Sequence, residues 1–215
     1  MQWTLLVPLK ALARAKSRLA DTAGDGLRPG LALAFAQDTV AAALACAAVR
    51  SVAVVTDDSL AGRELAALGA RIVPDEPEGG LNAALAHAAS VVRSRSPESA
   101  VAALNADLPA LRPLELARVL DAAAEFPRSF LPDAAAIGTT LLAAVPGREL
   151  LPAFGTASRA RHRASGAVEL GLDAVDSVRQ DVDTGDDLRA ALALGVGPRT
   201  AAAAARLLIP GQPGC

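Results

Sequence analysis

A chain of 215 residues that is 52% hydrophobic but only 2% aromatic can bury one substantial core, and alanine, leucine and valine must fill it. A formal net charge of −2 excludes the broadly basic footprint of a nucleic-acid binder, and no apolar run reaches membrane-spanning length. The two cysteines, Cys46 and Cys215, lie far apart, which excludes a disulfide framework or a metal knuckle.

The first ten residues, MQWTLLVPLK, have neither the basic start nor the long apolar middle of a signal peptide, so a soluble cytoplasmic protein is expected. Residues 3–7 read as a buried strand ended by Pro8. A basic loop follows, with Lys10, Arg14, Lys16 and Arg18 inside nine residues. A solvated basic turn is the plain alternative. Its place directly after a first strand favours an anion site, because that is the ligand edge of an α/β sheet. Residues 21–30 read as a Gly/Asp turn region and residues 31–48 as a long apolar helix. Residues 51–55 form a second strand. Asp58 or Ser59 then caps a helix that stops at Gly69, and Ile72-Val73 make a short third strand. This alternation predicts a doubly wound parallel sheet.

Gly79 and Gly80 let backbone approach a ligand, and Asn82 opens the helix of residues 83–93 with a side chain able to read a base or ribose. The run VAAL, residues 101–104, is short enough for a buried strand; Asp107 follows, and Pro109 blocks a longer ladder. Asp107 is therefore the expected metal ligand at the carboxyl end of a strand. A helix with Pro113 in its first turn comes next, then a strand beginning at residues 129–131. Gly138, Thr139 and Thr140 lead into an apolar strand, where hydroxyls and free amides can hold a phosphate. Gly155 and Ser158 precede a short helix rich in Arg159, Arg161, His162 and Arg163, a second expected anion site. Asp181 and Asp183 alternate, so an extended backbone points them the same way, while Asp186 and Asp187 read as ordinary acids at a helix start. Residues 194–208 read as an Ala-rich helix. One domain over residues 1–208, with a flexible tail over 209–215, is expected.

Two separated carboxylates, two anion pockets and a glycine loop suit one event: a nucleoside triphosphate meeting a second anion over a divalent metal. Two unit charges about 4 Å apart repel by ~1 kcal/mol in water and by roughly four times that near a protein surface. Lysines and a metal must offset this repulsion. A phosphate nucleophile is already ionised and needs no general base.

In order, VPLKALARAKSRL, VVTDD, GGLNAAL, NADLPAL, GTTLL, FGTASRARH with SGA, and DVDTGDDL span nearly the whole chain. Together they resemble the 2-phospho-L-lactate / phosphoenolpyruvate guanylyltransferase family of coenzyme F420 biosynthesis. The resemblance implies an α/β, single-domain, GT-A-like nucleotidyltransferase fold with a mostly parallel mixed sheet and helices on both faces. It implies transfer of GMP from GTP to a small phospho-acid, with release of pyrophosphate. Phosphoenolpyruvate is the favoured acceptor, since the Ala/Arg-rich composition looks like that of a high-GC bacterium. The resemblance places Mg2+ on Asp107 and Asp183, and makes these with Lys16 the catalytic set. It places the nucleotide on Leu9, Lys10, Lys16, Arg18, Gly80 and Asn82, and the acceptor on Thr139, Thr140, Gly155 and Ser158. The family's Gly-Thr-Gly-Thr-like run is here Ala136-Ile137-Gly138-Thr139, which leaves Thr139 and Thr140 both open. Its usual glycine before the metal aspartate is Ala106. Hand-off to a downstream pathway transferase and a homodimer are expected associations, with no nucleic acid or membrane partner. The competing expectations are the same transfer to 2-phospho-L-lactate, a related enzyme such as a molybdenum-cofactor guanylyltransferase, and a nucleotide sensor without turnover.

Overall fold

The computed structural model describes residues 1–14, 16, 19–76 and 79–207, and for residues 14 and 20–25 the backbone alone. Arg18, Cys215 and the expected tail lie outside the described residues. Among these, seven strands form one sheet: β1 (Trp3–Pro8), β2 (Val49–Val55), β3 (Arg71–Val73), β4 (Ala100–Leu104), β5 (Arg128–Pro132), β6 (Thr139–Ala144) and β7 (Val168–Glu169). Their order is β3-β2-β1-β4-β6-β5-β7. β2, β1 and β4 pair in parallel, as do β5 and β7, and β6 runs antiparallel to both β4 and β5. Only β6 is therefore reversed. From β1 the chain moves outward through β2 and β3, then returns to lay β4 on the other side of β1. That reversal makes the carboxyl ends of β1 and β4 the switch point, where open α/β sheets bind ligands.

The helices are α1 (Ala20–Leu44), α2 (Ser59–Ala67), α3 (Leu81–Arg95), α4 (Pro113–Ala123), α5 (Ser158–Ala164), α6 (Asp176–Arg179), α7 (Gly185–Leu194) and α8 (Pro198–Ala205). Strand residues alternate between two cores. Trp3, Leu5, Val7, Val52, Val54, Ala102 and Leu104 face the side that also buries Ala36, Val40, Leu65, Leu116 and Leu120 from α1, α2 and α4. Leu6, Ala53, Val55, Val101 and Ala103 face the side of Leu85, Ala88 and Val92 from α3. Every residue of β4 is buried, which is why VAAL reads as a continuous apolar run. A third, smaller cluster lies under the ligand edge: Leu19, Leu31, Phe35, Ala110, Val182, Leu188 and Ala191.

Two local expectations are corrected. Residues 21–30 are not a turn, because α1 runs through them with Pro29 inside. An internal proline disfavours a helix by ~3 kcal/mol or more. Burial of Leu19, Leu31 and Phe35 in one cluster ties both sides of that stretch down and outweighs the local preference. The helix expected over 194–208 is broken: α7 ends at Leu194, Gly195 takes φ 92°, and Pro198 opens α8. None of the described helices is long and apolar enough to cross a membrane.

Candidate active site

Beyond β4 the chain is pinned from three sides. Asn105 N–H donates to Thr140 O at 2.9 Å, and Leu108 N–H donates to Thr39 Oγ1 of α1 at 3.0 Å. Val182 N–H donates to Asp107 O at 3.1 Å. Val182 itself is fully buried, so its neighbours Asp181 and Asp183 are held beside Asp107. A capping box between Thr184 and Asp187 fixes the start of α7, with Asp187 accepting from Asp183 N–H at 3.1 Å and Thr184 N–H at 2.8 Å. The helix-start role expected of Asp187 is thus observed.

Lys16 completes this cluster. Its backbone is left-handed, φ 56°, and its ammonium donates to Asp107 Oδ2 and, at 2.8 Å, to Asp183 Oδ1. Burial works against the charge on Lys16, but the carboxylates of Asp107 and then Asp183 outweigh it and raise its pKa above the ordinary value. Asp181 is pushed well above the usual carboxylate range, first by burial and then by Asp107, Asp183 and Asp133. Negative charge is therefore in surplus here, and Asp107 Oδ1 is buried without a hydrogen-bond partner. Both features fit a divalent cation. Among the described residues no group of three or more His, Cys, Asp or Glu side chains cages an ion.

The acceptor residues named by the resemblance also meet. Asp133 accepts from Ile137 N–H at 2.9 Å and Gly138 N–H at 2.7 Å, closing the turn before β6. A Cβ on Gly138 would lie 2.4 Å from Asp133 Oδ2, so any larger residue would push that carboxylate off its two N–H donors, and Ser158 Oγ lies 3.8 Å from that same point. Arg159 N–H and its guanidinium bind the carbonyls of Ile137 and Ala136, docking α5 on the turn. Thr139 Oγ1 lies 2.9 Å from His162 Nδ1. Thr140 is wholly buried and its hydroxyl has no partner, whereas Thr139 keeps a trace of exposure, 4%. Gly155, at φ 111°, accepts from Ser158 N–H.

Of the residues expected to hold the nucleotide, Leu9 N–H continues the β2 ladder through Val55 O at 2.9 Å, and Lys10 is exposed just beyond β1. Asp58 accepts from Leu12, Leu60 and Ala61 N–H, joining the basic loop to the start of α2. Gly80 is exposed and left-handed, φ 82°. Asn82 uses both ends of its carboxamide within the protein. Oδ1 accepts from Phe154 N–H at 2.7 Å, and Nδ2 donates to Phe154 O at 3.1 Å. It straps the start of α3 to the backbone of Phe154.

The basic helix α5 differs from expectation. Arg159 and Arg163 both pair with Glu169, and Arg161 donates to Phe154 O. Two of the N–H groups at its start are taken by the carbonyls of Gly155 and Ile137. Glu169 engages two of the three arginines of α5, so part of the expected cationic surface is spent within the protein. In the sequence His162 stands out only as one more cation of α5, and Asp133 carries no expected role. Spacing marks the first: His162 lies four residues after Ser158, on the same helix face.

An open, mostly parallel sheet with a lysine loop and two aspartates at its switch point suits a phosphate-handling enzyme, and solved nucleotidyltransferases share this fold. A nucleotidyl transferase from Methanothermobacter shares the fold, with TM-score 0.60 and 21% identity over 90% of this chain and 98% of that one. So does a Mycobacterium tuberculosis H37Rv protein crystallised with manganese, with TM-score 0.52 and 21% identity over 90% and 100% of the two chains. The chain belongs to the guanylyl transferase CofC-like family, whose model matches residues 3–204. A relative from Streptomyces avermitilis, named phosphoenolpyruvate guanylyltransferase, is 88% identical over 214 residues, covering 100% of this chain and 99% of its own.

Proposed function

We propose that this protein moves the GMP group of GTP onto the phosphate of phosphoenolpyruvate, giving enolpyruvyl-diphospho-5'-guanosine and pyrophosphate, as a step of coenzyme F420 biosynthesis. A phosphate oxygen of the acceptor attacks the α-phosphorus of GTP, and the bond from that phosphorus to the oxygen bridging to the β-phosphate breaks. The observation that carries this reading is the meeting of Lys16, Asp107 and Asp183 at the β1/β4 switch point, adjoining the Asp133–Gly138 turn. Lys16 and Lys10 supply positive charge for the triphosphate. Thr139 and Ser158 offer hydroxyl donors to the acceptor, and Asn82 holds the Phe154–Gly155 backbone in place. Gly80 lets the loop ahead of α3 lie close to the guanine. Asp107 and Asp183 would hold Mg2+, which when bound supplies charge neutralisation for the triphosphate and the departing pyrophosphate. The M. tuberculosis neighbour crystallised with manganese supports a divalent ion here. The 88% identical relative named for phosphoenolpyruvate supports that acceptor.

The test is incubation with GTP, Mg2+ and either phosphoenolpyruvate or 2-phospho-L-lactate, with pyrophosphate release measured. Release with phosphoenolpyruvate is expected. Release only with 2-phospho-L-lactate would move the acceptor assignment, and release with neither would end the guanylyltransferase reading.

A further inference from the structure

His162 joins the two halves of the acceptor pocket. It is fully buried, and its ring lies between Phe130 and Phe154, with centroids at 5.7 and 5.0 Å. Ala153 N lies 2.9 Å from Nε2, and Thr139 Oγ1 lies 2.9 Å from Nδ1. A backbone N–H can only donate, so Nε2 carries the lone pair. The single ring proton then sits on Nδ1 and is donated to Thr139 Oγ1. With its oxygen engaged as acceptor, Thr139 must direct its own hydroxyl proton elsewhere. The same ring fixes Ala153, whose neighbour Phe154 is clasped by Asn82. Burial, and behind it the charges of Arg128 and Arg161, push the second protonation down to about 4, so one tautomer persists through the neutral range.

We propose that His162 is a positioning residue for the phospho-acid: by donating to Thr139 it makes that hydroxyl an obligate donor toward the acceptor's oxyanion, and by accepting from Ala153 it locks the opposing loop at the same distance. The assignment rests on the guanylyltransferase reading.

His162→Gln keeps an acceptor for Ala153 N–H but offers no donor where Nδ1 stands, whereas His162→Asn keeps a donor near that point. The Gln variant should raise the KM for phosphoenolpyruvate about tenfold, the upper size for one lost neutral hydrogen bond. The KM for GTP should stay within about twofold, and the Asn variant should recover part of the loss. Thr139→Ala should match the Gln variant, and combining the two should add nothing further. An unchanged phosphoenolpyruvate KM in the Gln variant, equal rises for both substrates, or multiplying effects in the double variant would each overturn the proposal. A measurement on the intact protein guards against a variant that fails to fold. The chain has two histidines, so 15N spectra near neutral pH, assigned with His87→Gln, should show His162 protonated at Nδ1 and bare at Nε2. The opposite tautomer overturns the proposal. No turnover by the wild type with either phospho-acid removes the guanylyltransferase reading and this proposal together, whereas normal turnover with an unchanged KM in the Gln variant removes this proposal alone.

Discussion

At the scale of single residues, charge and proton count decide what the site can do. Asp107 presents one oxygen to Lys16 and leaves the other buried and unpaired. Asp107→Asn keeps the shape but removes the charge that a cation needs. Turnover should fall on the order of a thousandfold, the range for losing a key charge-stabilising group. A melting curve should show the fold retained, and a near wild-type rate would contradict the cation assignment. His162 provides a second prediction. Its folded pKa lies near 4 against an ordinary 6.5. Above about 6.5 the ring is neutral in folded and unfolded chains alike. Below that, the unfolded chain takes up a proton that the buried ring resists, so stability is lost as pH falls toward 4. The loss is on the order of 3 kcal/mol in all. Urea titrations at neutral pH and near pH 4.5 should show the wild type losing this increment relative to His162→Gln. Parallel losses in the two proteins would contradict it.

At the scale of elements, caps and turns aim the site. Asp58 stands at the start of α2 and also holds Leu12 of the loop that carries Lys16. Asp58→Ala should destabilise by about 1 kcal/mol, the usual worth of such a cap, read as a lower urea midpoint. It should also weaken GTP binding, because the Lys16 loop loses an anchor. A stability loss with GTP binding untouched would show that the loop is held by other contacts. Much at this scale was legible in the sequence. A cap at Asp58 or Ser59, Gly69 as a stop, Pro8 as a strand end, and VAAL as a buried strand are local events written in adjacent residues, and the structure chooses Asp58 as the cap. Residues 21–30 were not legible, because their glycines and proline favour a turn, and what holds them helical is the burial of flanking Leu19, Leu31 and Phe35 against Ala110, Val182 and Leu188 from far along the chain. Asn82 looked like a free reader of a ligand; its partner, Phe154, is too far along the chain for spacing to reveal.

At the scale of the molecule, α8 closes on α1. Buried Asp38 of α1 accepts from Thr200 N–H at 2.7 Å and Arg199 N–H at 3.3 Å at the start of α8. Gly197 N–H reaches Pro109 O at 2.9 Å, just past the Asp107 turn. A Cβ on Gly197 would stand 2.3 Å from Asp38 Cγ. Asp38→Ala should lower stability by about 1–3 kcal/mol through its orphaned donors. Gly197→Ala should cost about as much through overpacking. The double variant should lose less than the sum, since the first change removes the carboxylate atoms that the second strikes at 2.3 and 2.6 Å and leaves only Cβ at 2.7 Å. Additive losses in urea unfolding would refute this shared contact.

The sequence by itself determined the alternation of strand and helix, the positions of most turns and the chain's membership of a guanylyltransferase family. Strand ends, caps and motif residues act on their immediate neighbours, so they can be read in line. Only the tertiary structure decided that Asp107 and Asp183 converge on Lys16, that β6 runs against its neighbours, that Glu169 takes up Arg159 and Arg163, and that His162 orients Thr139. Each of these is a pairing between segments separated in the chain. Electrostatics and hydrogen bonding depend on distance in space, and folding sets that distance.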